Sequence, residues 1–238
     1  MRKILIVTTS HTAMPHEAAP TGVWYEELAG PYYAFVDAGH AVTIASIRGG
    51  VVPIDPRSLA GEAVSASVRR FQDDPEALAA ARQSQAVADL DARDYDALFL
   101  AGGHGTMWDF PDNAALGRTI TDALDAGRIV AAVCHGPAGF IGVRRADGAP
   151  LVAGRSIACF TDSEERAVHL DDQVPFLLAT RLASLGARLS AGPDFQPQVV
   201  TDGTLMTGQS PNSAVPLAAS VNAAMRAAPP RVARPAAA

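Results

Sequence analysis

The chain has 238 residues, 48% of them hydrophobic and 18% charged, with a formal net charge of -6, which is typical of a globular protein built as one large α/β domain or two small ones. The acidic balance and the lack of any lysine or arginine run longer than two exclude nucleic acid as a partner, and no apolar stretch is long enough to span a membrane. The two cysteines, Cys134 and Cys159, give no disulfide framework, which favours a reducing compartment. The first apolar run is too short and too polar at its end for a secretion signal, so we expect a cytoplasmic location.

The first part of the chain alternates buried strands with a helix. Residues 3–9 and 41–46 are short apolar runs, which predict two parallel strands. Between them, residues 21–38 carry apolar side chains at helical spacing and end at a glycine, so they predict a helix. Pro31 has no backbone N–H to donate, and it therefore predicts a kink in that helix.

The loop over residues 10–20 carries three groups that can bind a metal, His11, His16 and Glu17. Loops that follow the first strand of a parallel sheet often border a binding site. The spacing of these residues fits no standard pair of ligands on a helix, so the sequence predicts no metal and no other cofactor. A metal site in this loop stays open as the alternative.

The middle of the chain continues the alternation after an insertion. Residues 61–94 are rich in alanine, glutamine, aspartate, glutamate and arginine, which predicts a solvated helical insertion. Residues 96–101 form a further apolar strand that ends in Gly102 and Gly103, which permit sharp turns and the close approach of a ligand. Residues 113–126 then predict an amphipathic helix that crosses back to the next strand.

The segment over residues 128–140 carries the strongest chemical signal. A buried strand stops at Cys134, and Gly136 and Pro137 allow a tight reversal into a helix. This is the geometry of a nucleophile elbow with a thiol in place of a hydroxyl. The adjacent His135 and the helix N-terminus favour a thiolate, so we expect a nucleophilic Cys134 with a lowered pKa rather than a buried structural cysteine.

Residues 156–160 predict a short strand, and residues 175–185 predict a helix. Residues 199–206 predict a hairpin around Asp202-Gly203, and residues 207–213 begin a last helix. The tail, residues 227–238, is rich in proline, alanine and arginine and is expected to be frayed. Residues 1–226 therefore predict a single α/β domain with a mainly parallel, doubly wound sheet. In such a sheet the functional loops gather at the carboxyl ends of the strands.

Several motifs together resemble the ThiJ/PfpI superfamily, to which the Parkinson-disease protein also belongs. Two of them are residues 132–137, which contain Cys134, and residues 101–106, Ala-Gly-Gly-His-Gly-Thr. Three more resemble its stress-inducible chaperone and glyoxalase III branch, at residues 21–28, 160–165 and 207–213. The resemblance covers nearly the whole chain before Ala227, and the joint occurrence of these motifs is highly specific.

This resemblance implies a flavodoxin-like fold with helices on both faces of the sheet, and a homodimer. It implies a glutathione-independent glyoxalase that converts methylglyoxal to D-lactate through a cysteine hemithioacetal. Glyoxal is implied as a second substrate. A holding-chaperone activity toward unfolded client proteins is implied as well. A chaperone, redox sensor or protein deglycase without glyoxalase turnover is the alternative. A glutamine amidotransferase is excluded because the distal His-x-Glu pair that it needs is missing.

Residue by residue, the resemblance assigns Cys134 as the nucleophile, His135 as its neighbouring base and Glu165 as the acidic partner of that histidine. A carboxylate that follows a strand end could orient and stabilise a protonated histidine, as the third member of a hydrolytic triad does. From the residues alone, Glu165 is equally well explained as a surface glutamate in the first turn of a helix. The adjacent Glu164 is the other candidate for the acidic partner.

The resemblance also assigns Glu27 as the carboxyl group that faces the thiol. If Glu27 points inward from its otherwise apolar helix, burial raises its pKa and it carries a proton at neutral pH, whereas the adjacent Glu26 is expected to be solvated. We expect the backbone N–H groups of Gly103 and His135 to stabilise an oxyanion, and His104 to shape the pocket wall.

Three further side chains have a simpler interpretation. Trp108 is expected to shape the pocket wall together with His104. Cys159, inside an apolar strand, is expected to be inert. His169 is as well explained as a packing residue as it is as a second base.

Overall fold

In the computed structural model, which describes residues 1–15 and 19–227, the chain forms a seven-stranded sheet and a separate two-stranded sheet, with helices packed around them. The strands are β1 (Lys3–Thr8), β2 (Ala41–Ser46), β3 (Gln85–Ala86), β4 (Ala97–Leu100), β5 (Ile129–Val133), β6 (Ser156–Ile157), β7 (Arg188–Leu189), β8 (Val199–Asp202) and β9 (Leu205–Gly208). The helices are α1 (Tyr25–Val36), α2 (Ala66–Asp73), α3 (Pro75–Arg82), α4 (Thr106–Asp109), α5 (Ala114–Asp125), α6 (Asp162–Ala167), α7 (Leu178–Ser184) and α8 (Ala214–Ala227). None of these helices combines the length and apolarity needed to cross a bilayer.

The large sheet has the strand order β3-β2-β1-β4-β5-β9-β8, and all of its neighbouring pairs are parallel except the β8–β9 hairpin at one edge. The predicted doubly wound, mainly parallel sheet is therefore confirmed. The strand order changes direction between β1 and β4, and in such a sheet a crevice opens at the carboxyl ends of the strands beside that point. The loops that follow β1, β4 and β5 meet there.

The core lies in two layers, one on each face of the sheet. In β1, Ile4 and Ile6 face the layer that contains α1 and α8, whereas Leu5 and Val7 face the layer that contains α5 and α7. Successive side chains of a strand point to opposite faces, so a run of consecutive apolar residues is what a strand covered on both faces requires. The same alternation buries β4 and β5 completely.

The predicted solvated insertion is wrong in part. Residues 61–94 contain α2 and α3, but Gln85–Ala86 adds a strand to the sheet edge, parallel to β2. Phe71 of α2 is fully buried and makes edge-to-face contacts with the aromatic rings of Tyr25 and Tyr32 on α1. The segment thus covers α1 and extends the sheet, and Pro31 lies inside α1 without ending the helix.

The last third of the chain matches the predicted order of elements with three differences, the first of which is α6, which was not among the predicted elements. The predicted strand at 156–160 forms only β6, which pairs with β7 rather than with the large sheet. The strand pairing of β7 was not predicted. The hairpin is confirmed, and Gly203 at its tip has a φ of 64°. The tail beyond Ala227 lies outside the described residues.

Candidate active site

Cys134 lies at a sharp turn between β5 and a short 3-10 helix. Its φ is 58°, in the left-handed region that residues other than glycine rarely adopt. The turn is held on both sides, because the Cys134 N–H donates to the Gly208 carbonyl and the Phe160 N–H donates to the Cys134 carbonyl, each at 2.9 Å. A Cβ on Gly136 would lie 2.5 Å from the Leu100 carbonyl oxygen, so the turn requires glycine there. The thiol is thus carried on the predicted elbow.

The elbow places the thiol beside a histidine and a carboxylate. Sγ of Cys134 lies 3.2 Å from Nδ1 of His135, and Nε2 of His135 lies 2.7 Å from Oε2 of Glu165. Glu165 reaches this position from the first turn of α6, whose N-cap residue Thr161 holds the helix start through a capping box. All three side chains are buried. They form a chain of thiol, imidazole and carboxylate, which is the arrangement that catalytic triads have.

A second histidine shares the carboxylate. Nε2 of His104 lies 2.8 Å from Oε1 of Glu165, and the His104 and His135 rings are 4.2 Å apart between centroids. Burial, followed by the nearby His135, lowers the pKa of His104 to about 4. Burial alone would raise the pKa of Glu165, but His135 and the hydrogen bonds from both imidazoles hold it well below its usual range. Glu165 is therefore a carboxylate at neutral pH.

The same three side chains, His104, His135 and Glu165, have the composition of a metal site, and their ligand atoms lie within 4.8 Å of one another. In this structure both imidazoles are hydrogen-bonded to the carboxylate. A metal ion would have to replace both of these hydrogen bonds.

Glu27 approaches the thiol from α1 on the other side of the elbow. The side chain is fully buried, and Oε2 accepts a hydrogen bond from the Gly102 N–H at 2.8 Å. Among residues 1–15 and 19–227, no group lies in standard hydrogen-bond geometry to Oε1. The Cys134 thiol is the polar group that acts most strongly on this carboxyl. Burial raises the pKa of Glu27 to about 8, so Glu27 is protonated at neutral pH, as expected.

The expected lowering of the Cys134 pKa is wrong. Burial raises the pKa of the thiol well above its ordinary value, and the carboxyl of Glu27 adds to the effect. The backbone N–H of Gly103 donates toward the sulfur and opposes this shift without cancelling it. Cys134 therefore rests as a thiol, and a thiolate forms only when another group takes its proton.

The thiol opens onto a cavity of about 320 Å³. The lining is mainly aromatic and apolar, with the thiol, one imidazole and one guanidinium as its polar groups: Trp24, Arg57, Gly103, His104, Cys134, Phe160, Val168, Phe195 and Pro211. Gly103 has a φ of 97°, and a Cβ there would lie 2.4 Å from the Trp24 nitrogen. Only glycine brings this backbone N–H up to the sulfur. The small volume suits a small ligand, and the few polar groups of the lining can orient it.

A family model described as the DJ-1/PfpI family matches residues 19–224. The chain belongs to the DJ-1/PfpI family. Glyoxalase 3 of Candida albicans is 31% identical over 233 residues, which cover 94% of this chain and 98% of that protein. The glutathione-independent glyoxalase HSP31 of Saccharomyces cerevisiae is 33% identical over 229 residues, which cover 90% of this chain and 93% of the relative.

Solved structures of the family superpose on this chain over nearly its full length. Rapid Encystment Protein 24 kDa of Francisella tularensis has a TM-score of 0.91 at 36% identity, covering 94% of this chain and 99% of that one. Glyoxalase III from Candida albicans has a TM-score of 0.86 at 31% identity, covering 94% of this chain and 97% of that one. The flavodoxin-like fold implied by the sequence motifs is thereby confirmed.

Within this fold the two alternative carboxylates lie elsewhere. Glu164 faces away from the histidines, closes the capping box of α6 and accepts hydrogen bonds from the Phe195 N–H and from the Gln209 amide. Glu26 is half-buried rather than solvated, and it is hydrogen-bonded to Ser65. Neither residue contacts the thiol or His135 through a hydrogen bond.

The remaining candidate residues lie outside the triad. Cys159 is buried in the apolar core, and burial raises the pKa of its thiol. His169 is exposed, which excludes the packing explanation. Trp108 stacks on His11 at 4.9 Å between centroids and does not line the cavity. Of the possible metal loop, His16 and Glu17 lie outside the described residues, and Nε2 of His11 is engaged with a backbone carbonyl.

The sequence interpretation missed one charged residue of the site. Arg57 lines the cavity and contacts His104, although it comes from a loop between β2 and α2 that carried no recognised chemistry. The local signal is the run Asp55-Pro56-Arg57, in which a short 3-10 turn folds the arginine back onto the aspartate. That signal predicts an ion pair, and only the fold shows that the ion pair reaches a histidine.

Proposed function

We propose that this protein is a glutathione-independent glyoxalase that converts methylglyoxal to D-lactate through a hemithioacetal on Cys134. The observation that carries the proposal is the elbow thiol, 3.2 Å from Nδ1 of His135, at the base of a cavity of about 320 Å³. Relatives named as glyoxalases match almost the whole chain. Methylglyoxal and glyoxal are small enough for the cavity and offer the aldehyde that a thiolate attacks.

The first step forms the carbon–sulfur bond. His135 donates its Nε2 proton in the hydrogen bond to Glu165, so its Nδ1 is free to take the proton of the Cys134 thiol. The sulfur then attacks the aldehyde carbon, and the aldehyde oxygen becomes an oxyanion. The Gly103 N–H, which already points at the sulfur, is placed to stabilise this charge as it develops. His135 returns its proton to that oxygen, which gives the hemithioacetal.

The second step moves hydrogen between the two substrate carbons. His135 removes the proton of the former aldehyde carbon, while the neutral Glu27 carboxyl protonates the neighbouring carbonyl oxygen, and an enediol forms. His135 then protonates the second carbon, and Glu27 takes back the hydroxyl proton of the first. The product is a lactoyl thioester on Cys134. The electron pairs stay within the substrate, so neither an oxidant nor a reductant is needed.

The third step releases the product. Water attacks the thioester carbonyl, with His135 as the base and Glu165 stabilising the imidazolium that results. The thiolate leaves, takes up a proton, and lactate departs. Glu165 stays ionised throughout, because its pKa is held well below its usual range.

The partners and location of the protein form a further part of the proposal. The family resemblance supports a homodimer, and it supports holding of unfolded client proteins as a second activity. Among the described residues, six large hydrophobic side chains are exposed, and they are spread along the sequence: Met1, Val51, Leu59, Val168, Leu189 and Val215. This small number favours catalysis over a broad client-binding surface. Both cysteines are free thiols, and thiol chemistry of this kind needs a reducing compartment, which supports a cytoplasmic location.

The test is to incubate the purified protein with methylglyoxal, without glutathione, and to measure D-lactate. We expect the wild type and Cys159→Ala to produce it and Cys134→Ala to lose at least about a hundredfold in turnover. Equal turnover in the Cys134→Ala protein would contradict the proposal. A wild type that suppresses aggregation of a client, or releases adducts from glycated peptides, without forming lactate would favour the chaperone or deglycase alternative.

A further inference from the structure

Arg57, whose side chain is 37% exposed, connects the buried carboxylate of Asp55 to the second histidine of the site. Its Nε donates to Oδ1 of Asp55 at 2.9 Å, and its Nη2 also donates to Oδ2 of that carboxylate. The same Nη2 lies 3.1 Å from Nδ1 of His104. Asp55 is fully buried and accepts a further hydrogen bond from the Thr21 hydroxyl, so the guanidinium is held from behind. The contact with His104 is therefore set by the fold and not by a freely rotating side chain.

The chemistry of the two groups fixes the direction of this hydrogen bond. A guanidinium has five N–H donors and no acceptor, and it stays protonated at any pH at which a protein is folded. Nδ1 of His104 must therefore be the acceptor and carries no proton. The proton of the neutral ring is then on Nε2, which is 2.8 Å from Oε1 of Glu165 and donates to it.

We infer that Arg57 is a positioning residue for the proposed reaction, which holds His104 in its neutral, Nε2-protonated form so that Glu165 receives one N–H from each imidazole. With both of its oxygens engaged, the carboxylate cannot rotate away from His135. This inference rests on the proposed function for its kinetic consequence, but the tautomer of His104 is a property of the resting protein and is measurable without substrate.

The neutral state of His104 matters because of the charge that appears beside it. The charged or titratable groups that face this ring are Arg57, Glu165 and His135, and Phe160 covers its edge. During each turnover His135 becomes an imidazolium. A second imidazolium with its ring centroid 4.2 Å away would oppose that step by like-charge repulsion. Burial already lowers the pKa of His104, and Arg57 adds to this by occupying the nitrogen that would take the proton.

The test uses Arg57→Met, which removes the donor, and Arg57→Lys, which keeps a cation without the planar fork. The wild-type protein, labelled with ¹⁵N at histidine, should show His104 with an unprotonated Nδ1 and a protonated Nε2 across pH 6 to 8. In Arg57→Met we expect protonation of Nδ1 to become detectable toward pH 5, because the pKa of His104 starts from about 4 and rises when the cation is lost. With a rise of about one unit, roughly half of the His104 rings would be charged at pH 5, so kcat relative to the wild type should fall by about twofold more at pH 5 than at pH 8. Arg57→Lys should recover part of both effects.

Arg93→Met is the matched control. Arg93 folds back on Asp91 in the same way, with Nε 2.8 Å from Oδ1 and Nη2 2.9 Å from Oδ2, on another short 3-10 turn away from the cavity. This change should leave the His104 tautomer and the pH profile unaltered. A wild-type His104 that carries its proton on Nδ1 would overturn the inference even if no Arg57 variant folds. So would an Arg57→Met protein with an unchanged tautomer and pH profile. Lack of glyoxalase turnover in the wild type would instead refute the proposed function and leave the tautomer measurement valid.

Discussion

Replacing Glu27 by glutamine should make the protein more stable at neutral pH while it removes activity. Glu27 ionises near pH 4.5 in the unfolded chain but only near pH 8 in the folded protein, because burial disfavours the charge. Between these values the folded state binds more protons than the unfolded state, so this group's contribution to the free energy of unfolding falls as the pH rises. At about 1.4 kcal/mol per pH unit, the contribution lost by pH 7 is on the order of 3 kcal/mol.

Glutamine has nearly the same shape and cannot ionise. Its carbonyl can still accept from the Gly102 N–H, in place of Oε2 of Glu27. The Glu27→Gln protein should therefore match the wild type near pH 5 and exceed its free energy of unfolding by on the order of 3 kcal/mol at pH 7. Because no proton can be exchanged with the substrate, turnover should fall by at least about a hundredfold.

The measurement is urea-induced unfolding of both proteins at half-unit steps from pH 5 to pH 8, together with kcat for methylglyoxal. Groups such as His104 also make stability depend on pH, but they are present in both proteins and cancel in the difference. Glu76→Gln, which replaces an exposed carboxylate on α3 by the same amide, is the matched control. A difference between Glu27→Gln and wild type that stays constant from pH 5 to pH 8 would refute a protonated Glu27, and with it the proton-transfer role.

The remaining predictions concern the base, its carboxylate, the glycine turn and oxidation. His135→Ala should lower kcat for methylglyoxal by at least about a hundredfold. Glu165→Gln should lower kcat by less, because this change removes the orientation and charge that support the base but not the base itself. A larger loss in Glu165→Gln than in His135→Ala would contradict the triad. Gly103→Ala should lower the free energy of unfolding by roughly 2 kcal/mol or more, because its Cβ would lie 2.4 Å from a backbone nitrogen. In Gly203→Ala the Cβ meets nothing within 4 Å, so urea unfolding should show a smaller loss of stability. Mild peroxide should oxidise Cys134, which lines the cavity, before Cys159, and peptide mass spectrometry that finds the opposite order would show that the cavity does not expose the reactive thiol.

Local chemistry accounts for what the sequence predicted correctly. The elbow follows from a buried strand that ends in Cys134, followed by Gly136 and Pro137, and the hairpin follows from Asp202-Gly203. Such features depend only on residues that are neighbours in the chain, so the local residue types are enough to predict them. The alternation of apolar runs likewise predicts the sheet, because strands covered on both faces need consecutive apolar residues.

Features that depend on distant segments were missed. The pKa of the Cys134 thiol is raised first by burial and then by the Glu27 carboxyl, which α1 brings to the elbow, and the elbow sequence contains neither cause. Strands β3 and β7 have two residues each, too short for any periodicity to register. Glu165 could not be told from a surface glutamate by sequence pattern, because its distinction is the 2.7 Å contact with a histidine thirty positions away.

The central claim is that substrate carbon becomes bonded to Cys134, and this bond is open to direct observation. The wild-type protein would be mixed with methylglyoxal, quenched in acid within one turnover, and digested for peptide mass spectrometry. We expect a mass increase of one methylglyoxal on the peptide that contains Cys134, with the Cys159 peptide unmodified, and we expect it to disappear as lactate forms. Lactate production at the wild-type rate with Cys134 never modified, or with Cys134 fully alkylated beforehand, would contradict the mechanism.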